Sequence, residues 1–105
     1  MQLAESTKMI KISSRQICAA RELLGITQSE LAAATGLGPN TISRIETATH
    51  QPQAATIRTI VQELVKRGIE FSNGTGLGVR LDFKKARAFE QSRSTEQRPV
   101  EEELE

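Results

Sequence analysis

Tryptophan and tyrosine are absent from the 105 residues, phenylalanine occurs three times, and cysteine and histidine occur once each. With aromatics at 3% and apolar residues at 37%, a core has to be built from Leu, Ile, Val and Ala, a mixture that favours packed helices over a β-sandwich. Cys18 has no partner for an intrachain disulfide, and Cys18 with His50 cannot supply a four-ligand metal site. A reducing, cytoplasmic setting without metal or cofactor is the expectation. No apolar run approaches the roughly 20 residues of a membrane span, and no basic, apolar and small-residue succession marks a leader. At this length one small domain is expected.

Net charge is also nearly absent, at +1, but the sum conceals a division. Up to Leu81 there are nine basic and six acidic residues; from Asp82 onward there are five basic and seven acidic. A mildly basic body with an acidic end is compatible with nucleic-acid binding, and equally with an ordinary solvated surface.

What the chain does have is a series of helix starts and stops. Residues 1–12 show no sustained period and read as a flexible arm. "SSRQ" (Ser13 to Gln16) is a capping box, in which a Ser hydroxyl accepts the third amide of a new helix and Gln16 reaches back to the cap amide. Ile17, Ala20, Leu23 and Leu24 follow at helical spacing, and Gly25 supplies a left-handed stop. "TQSE" (Thr27 to Glu30) repeats the capping logic before Leu31, Ala32 and Ala34, with Gly36 as the next stop. Gly38-Pro39 opens a third helix, Pro being suited to the first helical position, with Ile42 and Ile45 facing inward. Past a loop at Thr47 to Gln53, Ile57, Ile60, Val61 and Leu64 mark one face of a fourth helix that ends at Lys66, Arg67 and Gly68.

Beyond Gly68 the period falls to two. Ile69-Glu70-Phe71 and Val79-Arg80-Leu81 flank the turn-rich "SNGTGLG" (Ser72 to Gly78) and predict a β-hairpin over residues 69–81. Pairing Ile69 with Leu81, Glu70 with Arg80 and Phe71 with Val79 puts opposite charges on one face and four apolar side chains on the other. A two-stranded ribbon is marginal alone, so it must lie on the helices, pair with another chain, or both. In the tail, 82–105, "DFKKARAFE" (Asp82 to Glu90) predicts a short helix, and the remainder reads as polar and largely disordered.

Two short helices joined by a glycine turn and supported by flanking helices form a helix-turn-helix arrangement, which presents the second helix to a DNA major groove. The chain also resembles a known family here. Arg21, Leu24, Gly25, "TQSELA" (Thr27 to Ala32), Gly36 and "TISRIE" (Thr41 to Glu46), in this order and spacing, resemble the lambda-repressor-like, or Xre, helix-turn-helix family. "GIEF" and "GVRL" are similar to a hairpin that closes some short bacterial members.

The resemblance implies a mainly α, four- to five-helix DNA-binding domain over residues 13–68, followed by the hairpin and a flexible tail. It implies that Gln28 contacts DNA phosphate and braces the reading helix, and that Arg21 and Glu46 form an internal salt bridge. With Ile42 and Ile45 inward, Asn40, Thr41, Ser43, Arg44 and Thr47 lie outward or at the flanks. Asn suits adenine, Arg suits guanine or phosphate, and the Thr methyl suits that of thymine. Pro39 stands where many relatives carry a polar base-contacting residue, so its contact is apolar or absent. Gly38 replaces the usual Ser or Thr cap, and Ala48 stands where relatives commonly carry the glycine of the closing turn.

The expected function is therefore sequence-specific binding of double-stranded DNA by a homodimeric regulator, a repressor, and an enzyme is not expected: "GTGLG" (Gly74 to Gly78) lacks the Lys and helix start of a phosphate loop. Ile69, Phe71, Val79 and Leu81, or the hairpin edge, are the candidate dimer interface. Two alternatives share the fold: an antitoxin whose tail binds a toxin, and a protein-interaction or coactivator module that does not read bases. Cys18 reads as a small buried hydrophobe. No ligand pocket is expected, since the chain lacks a second domain to form one.

Overall fold

Each helix starts and stops where its local chemistry requires, and the computed structural model describes residues 11–49 and 52–97. Helix α1 spans Ser14–Leu24, capped by Ser13 in a complete capping box and ended by Gly25 at φ 72°. Helix α2 spans Gln28–Thr35, with the Thr27/Glu30 box at its start and Gly36 at φ 77° after its end. Helix α3 spans Pro39–Glu46, with Pro39 at its first position. Helix α4 spans Ala54–Lys66. Strands β1 (Ile69–Ser72) and β2 (Gly78–Leu81) form the antiparallel hairpin, and helix α5 spans Phe83–Gln97.

The core is aliphatic throughout. Ile17 and Ala20 of α1, Leu31 and Ala32 of α2, Ile42 and Ile45 of α3, Ile60 and Leu64 of α4, and Ile69 of β1 form one buried cluster. Leu23 and Ala34 depart from the expected faces: both are exposed, whereas Leu24, also expected inward, packs against the core.

The hairpin register is Ile69 with Leu81, Glu70 with Arg80 and Phe71 with Val79, extended by Ser72 with Gly78. Its apolar face lies on the helices: Ile69 is 1% exposed, and Phe71, Val79 and Leu81 are half-buried against the core. These four side chains pack on the core of their own chain, with Phe71, Val79 and Leu81 keeping part of their surface in solvent. On the other face Arg80 Nε donates to Glu70 Oε1 at 2.8 Å.

One side chain fastens the hairpin to α1. Gln16 is 3% exposed; its Oε1 accepts from the Ser13 amide, as the capping box requires. Its Nε2 points to Ser72 O at 3.0 Å, Asn73 Oδ1 at 2.9 Å and Gly78 O at 3.0 Å, bridging both ends of the hairpin loop. Asn73 Nδ2 in turn donates to Lys11 O. Gln16→Ala leaves these acceptors without their donor and is expected to cost about 2 to 3 kcal/mol, read as a lower urea midpoint at unchanged slope.

The arm expected over 1–12 falls outside the described residues up to position 10, while Ile12 packs on the core and Lys11 is held by Asn73. Helix α5 runs seven residues past the stretch that predicted it. Asp82 starts it, accepting the Lys85 amide through Oδ1 at 2.9 Å, and past Glu90 the helix formers Gln91, Arg93, Glu96 and Gln97 carry it on. Residues 98–105 lie outside the described residues.

Candidate nucleic-acid interface

Between α2 and α3 lie only Gly36, Leu37 and Gly38. Gly36 turns the chain at positive φ, and Leu37 anchors the turn by packing on the core. Helix α3 is held from beneath by Ile42 and Ile45, 0% and 3% exposed. Its cap Gly38 makes no side-chain hydrogen bond, so the helix relies on Pro39 and on this packing.

A polar clamp fixes its far end. Arg21 grips Glu46 with a two-pronged fork, Nε to Oε2 at 2.7 Å and Nη2 to Oε1 at 3.1 Å. Its Nη1 donates to Ile26 O at 2.8 Å, and Gln28 Nε2 donates to Glu46 Oε1 at 2.9 Å. Helix α1, the turn before α2, the start of α2 and the end of α3 are thus joined through one carboxylate whose side chain is 4% exposed. Burial pushes the Glu46 carboxyl up, but the hydrogen bonds from Arg21 and Gln28 and the charge of Arg21 outweigh it, and the group is held below its ordinary value. The Arg21 guanidinium is raised, chiefly by its hydrogen bond to Glu46.

The expected contact residues fall on the other side. Pro39, Asn40, Arg44 and Thr47 are exposed, and Thr41 and Ser43 half-buried. The side chains of Asn40 and Arg44 make no hydrogen bond or ion pair among the described residues. Thr47 is different: its hydroxyl donates to Ser43 O at 2.9 Å and so helps close α3. Gln28 gives one amide hydrogen to Glu46, leaving a second outside that bond.

Ala48 keeps the closing turn despite its side chain, adopting φ 59° with its amide on Ile45 O at 3.1 Å. The left-handed conformation costs an L-residue about 1 kcal/mol or more. Ala48→Gly is therefore expected to stabilise the domain by about 0.5 to 1 kcal/mol after the extra unfolded-state freedom of glycine is counted, seen as a higher thermal midpoint.

Cys18 is half-buried beside this clamp. Burial, then the Glu46 charge, push its thiol up, which keeps it protonated and poorly nucleophilic. Among the described residues no three His, Cys, Asp or Glu could hold a metal ion, and no helix is long and apolar enough to cross a membrane. His50 lies outside the described residues. The buried role of Gln16 across the hairpin was not visible in its capping-box spacing; that Gln28 braces the reading helix was implied by the resemblance, but not that Glu46 is the partner it uses.

No curated relative matches the chain. The family model described as Helix-turn-helix matches residues 19–64. That segment runs from the middle of α1 almost to the end of α4 and contains the Arg21–Glu46 fork, the glycine turn and the presented helix. Over residues 19–64 the chain is therefore similar to the lambda-repressor-like, Xre-type helix-turn-helix family, a family of DNA-binding regulators.

Proposed function

We propose that the chain is a sequence-specific transcriptional regulator, acting as a repressor, that binds a two-fold-related operator as a homodimer with α3 in the major groove. The observation that carries this reading is the asymmetry of α3. Its inner face is fixed by Ile42, Ile45 and the Arg21–Glu46–Gln28 clamp, while Asn40 and Arg44 point outward with nothing to bond. Holding a helix this rigidly while leaving its outer amide and guanidinium unengaged is what reading base edges requires.

Thr41 and Ser43 flank these two readers, Pro39 offers an apolar contact, and Thr47 offers its methyl. Gln28, with the unpaired first amides of α2, supplies a phosphate contact. One reading helix covers few base pairs, so two half-sites about 34 Å apart are needed for affinity. Since the apolar face of the hairpin packs in large part on its own helices, the dimer contact is assigned to an outer edge of the two-stranded ribbon.

Selection of random duplex DNA by the full chain tests this reading. An inverted repeat with half-sites about one helical turn apart is the expected product; recovery of no motif, or of a single unrepeated half-site, would sink the dimeric operator reader.

A further inference from the structure

Away from α3, helices α4 and α5 enclose an open groove of about 680 Å³, a size typical of small-molecule sites, whose far wall reaches Ala34 at the end of α2. Its apolar lining is Val65, Ala88 and Phe89. Its charged lining is mostly cationic: Lys66, Arg67, Lys85 and Arg93 stand against one carboxylate, Glu63.

That carboxylate is fully used. Glu63 Oε2 accepts from Arg67 Nε at 2.7 Å and Oε1 faces Lys66 Nζ at 3.3 Å. Lys85 is shared with Glu70 at 3.2 Å. The guanidiniums of Arg67 and Arg93 lie 4.8 and 5.6 Å from the centre of the Phe89 ring. Arg93 has no ion pair among the described residues, and the two terminal nitrogens of Arg67 have no acceptor there. Among the described residues no wholly buried side-chain nitrogen lacks a partner, so these terminal nitrogens keep some contact with solvent, although the Arg67 side chain is only 10% exposed. Two guanidiniums beside one ring, with unfilled donors and a surplus of positive charge among apolar lining residues, form a receptor for negative charge.

We propose that this groove binds a small anion carrying at least two negative charges, a phosphate or carboxylate compound, clamped between Arg67 and Arg93 with Lys66 at the rim. Such a ligand ties α5 to α4 and to the end of α2, the helix that supports α3. The proposal is independent of the DNA reading, since none of its residues lies on the outer face of α3.

The test is a titration of the full-length chain with inorganic pyrophosphate and, separately, citrate, following backbone amide resonances at constant ionic strength. Expected are saturable shifts confined to Ala34, Lys66, Arg67, Phe89 and Arg93 and their neighbours, with half-saturation at about 1 mM or below. Arg93→Gln and Lys66→Gln, neither of which breaks the buried Arg67–Glu63 pair, should each weaken binding about tenfold with the fold intact. Absence of saturable shifts with both anions overturns the proposal, as do shifts spread evenly over surface lysines or unchanged in both variants; in either case the guanidiniums serve only to fasten α5. A third arm adds a duplex of the selected or of random sequence: if it alone moves the groove amides, the groove is a contact for DNA backbone phosphate and the small-ligand proposal fails.

Discussion

Arg21→Ala is expected to lower the stability of the domain by about 3 to 5 kcal/mol, the range for breaking one half of a buried ion pair. The loss exceeds that of a surface pair because Glu46 stays behind, 4% exposed, with Gln28 as its remaining strong donor. Ile26 O also loses the Nη1 bond that holds the turn before α2. A small domain has about 5 to 15 kcal/mol in hand, so a large part of its margin disappears, and urea unfolding reads the difference directly. Arg21→Lys keeps the charge but loses the fork and the bond to Ile26, and should fall between the two.

The same pair sets the acid response. The Glu46 carboxyl is depressed below its ordinary value of 4.5, so the stability it contributes is fully present above that pH and is lost as pH falls through the depressed value. With Arg21→Ala the depression shrinks, and the decline of stability with acid should be shallower than in the parent chain. An equally steep decline in both would mean that other carboxylates govern it.

Gly68→Ala is the second large effect, expected at about 2 to 4 kcal/mol. Gly68 sits at φ 112° between α4 and β1, outside the region that L-residues adopt readily. A Cβ there would lie 2.9 Å from Ala86 N and 3.1 Å from Asp82 O. Both are backbone atoms at the start of α5, so no flexible side chain can yield, and α5 has to shift. Gly68 O also accepts the Asp82 amide at 2.9 Å, a bond that such a shift breaks. Gly25→Ala is the control: φ is 72° and nothing lies within 4 Å of the added carbon, so only the conformational cost of about 1 kcal/mol remains. Equal losses at the two sites would show that α5 does not press on Gly68.

The contrast between these glycines also marks what the sequence disclosed. Both helix stops, the two capping boxes and the hairpin register rest on residues within a few positions of one another, and such local chemistry is legible in order. The Arg21–Glu46 fork spans twenty-five positions and was reached only through resemblance to a family. Gln16 reaches acceptors 56 to 62 positions away, and nothing in its capping-box spacing announced a second role. Glu63 and Arg67, at i and i+4, carried a readable signal for a helical ion pair; what their spacing did not show is that both are buried. The cationic groove was invisible because its walls come from three helices far apart in sequence. The full length of α5 escaped for another reason: a helix that packs little has little apolar period to read, and its composition of helix formers is shared with disordered segments.

One titration decides whether the presented helix α3 reads DNA. The duplex recovered by selection is titrated, by fluorescence anisotropy at fixed salt, with the parent chain, with Asn40→Ala and Arg44→Ala, and with Arg93→Gln as a substitution distant from α3. Loss of a base contact is worth about 1 to 3 kcal/mol, so each substitution in α3 should weaken binding about 5- to 150-fold and relax the preference at one position of each half-site, while Arg93→Gln leaves that preference unchanged. Unaltered affinity and sequence preference in both α3 variants, with the fold intact, would contradict the claim that α3 reads DNA.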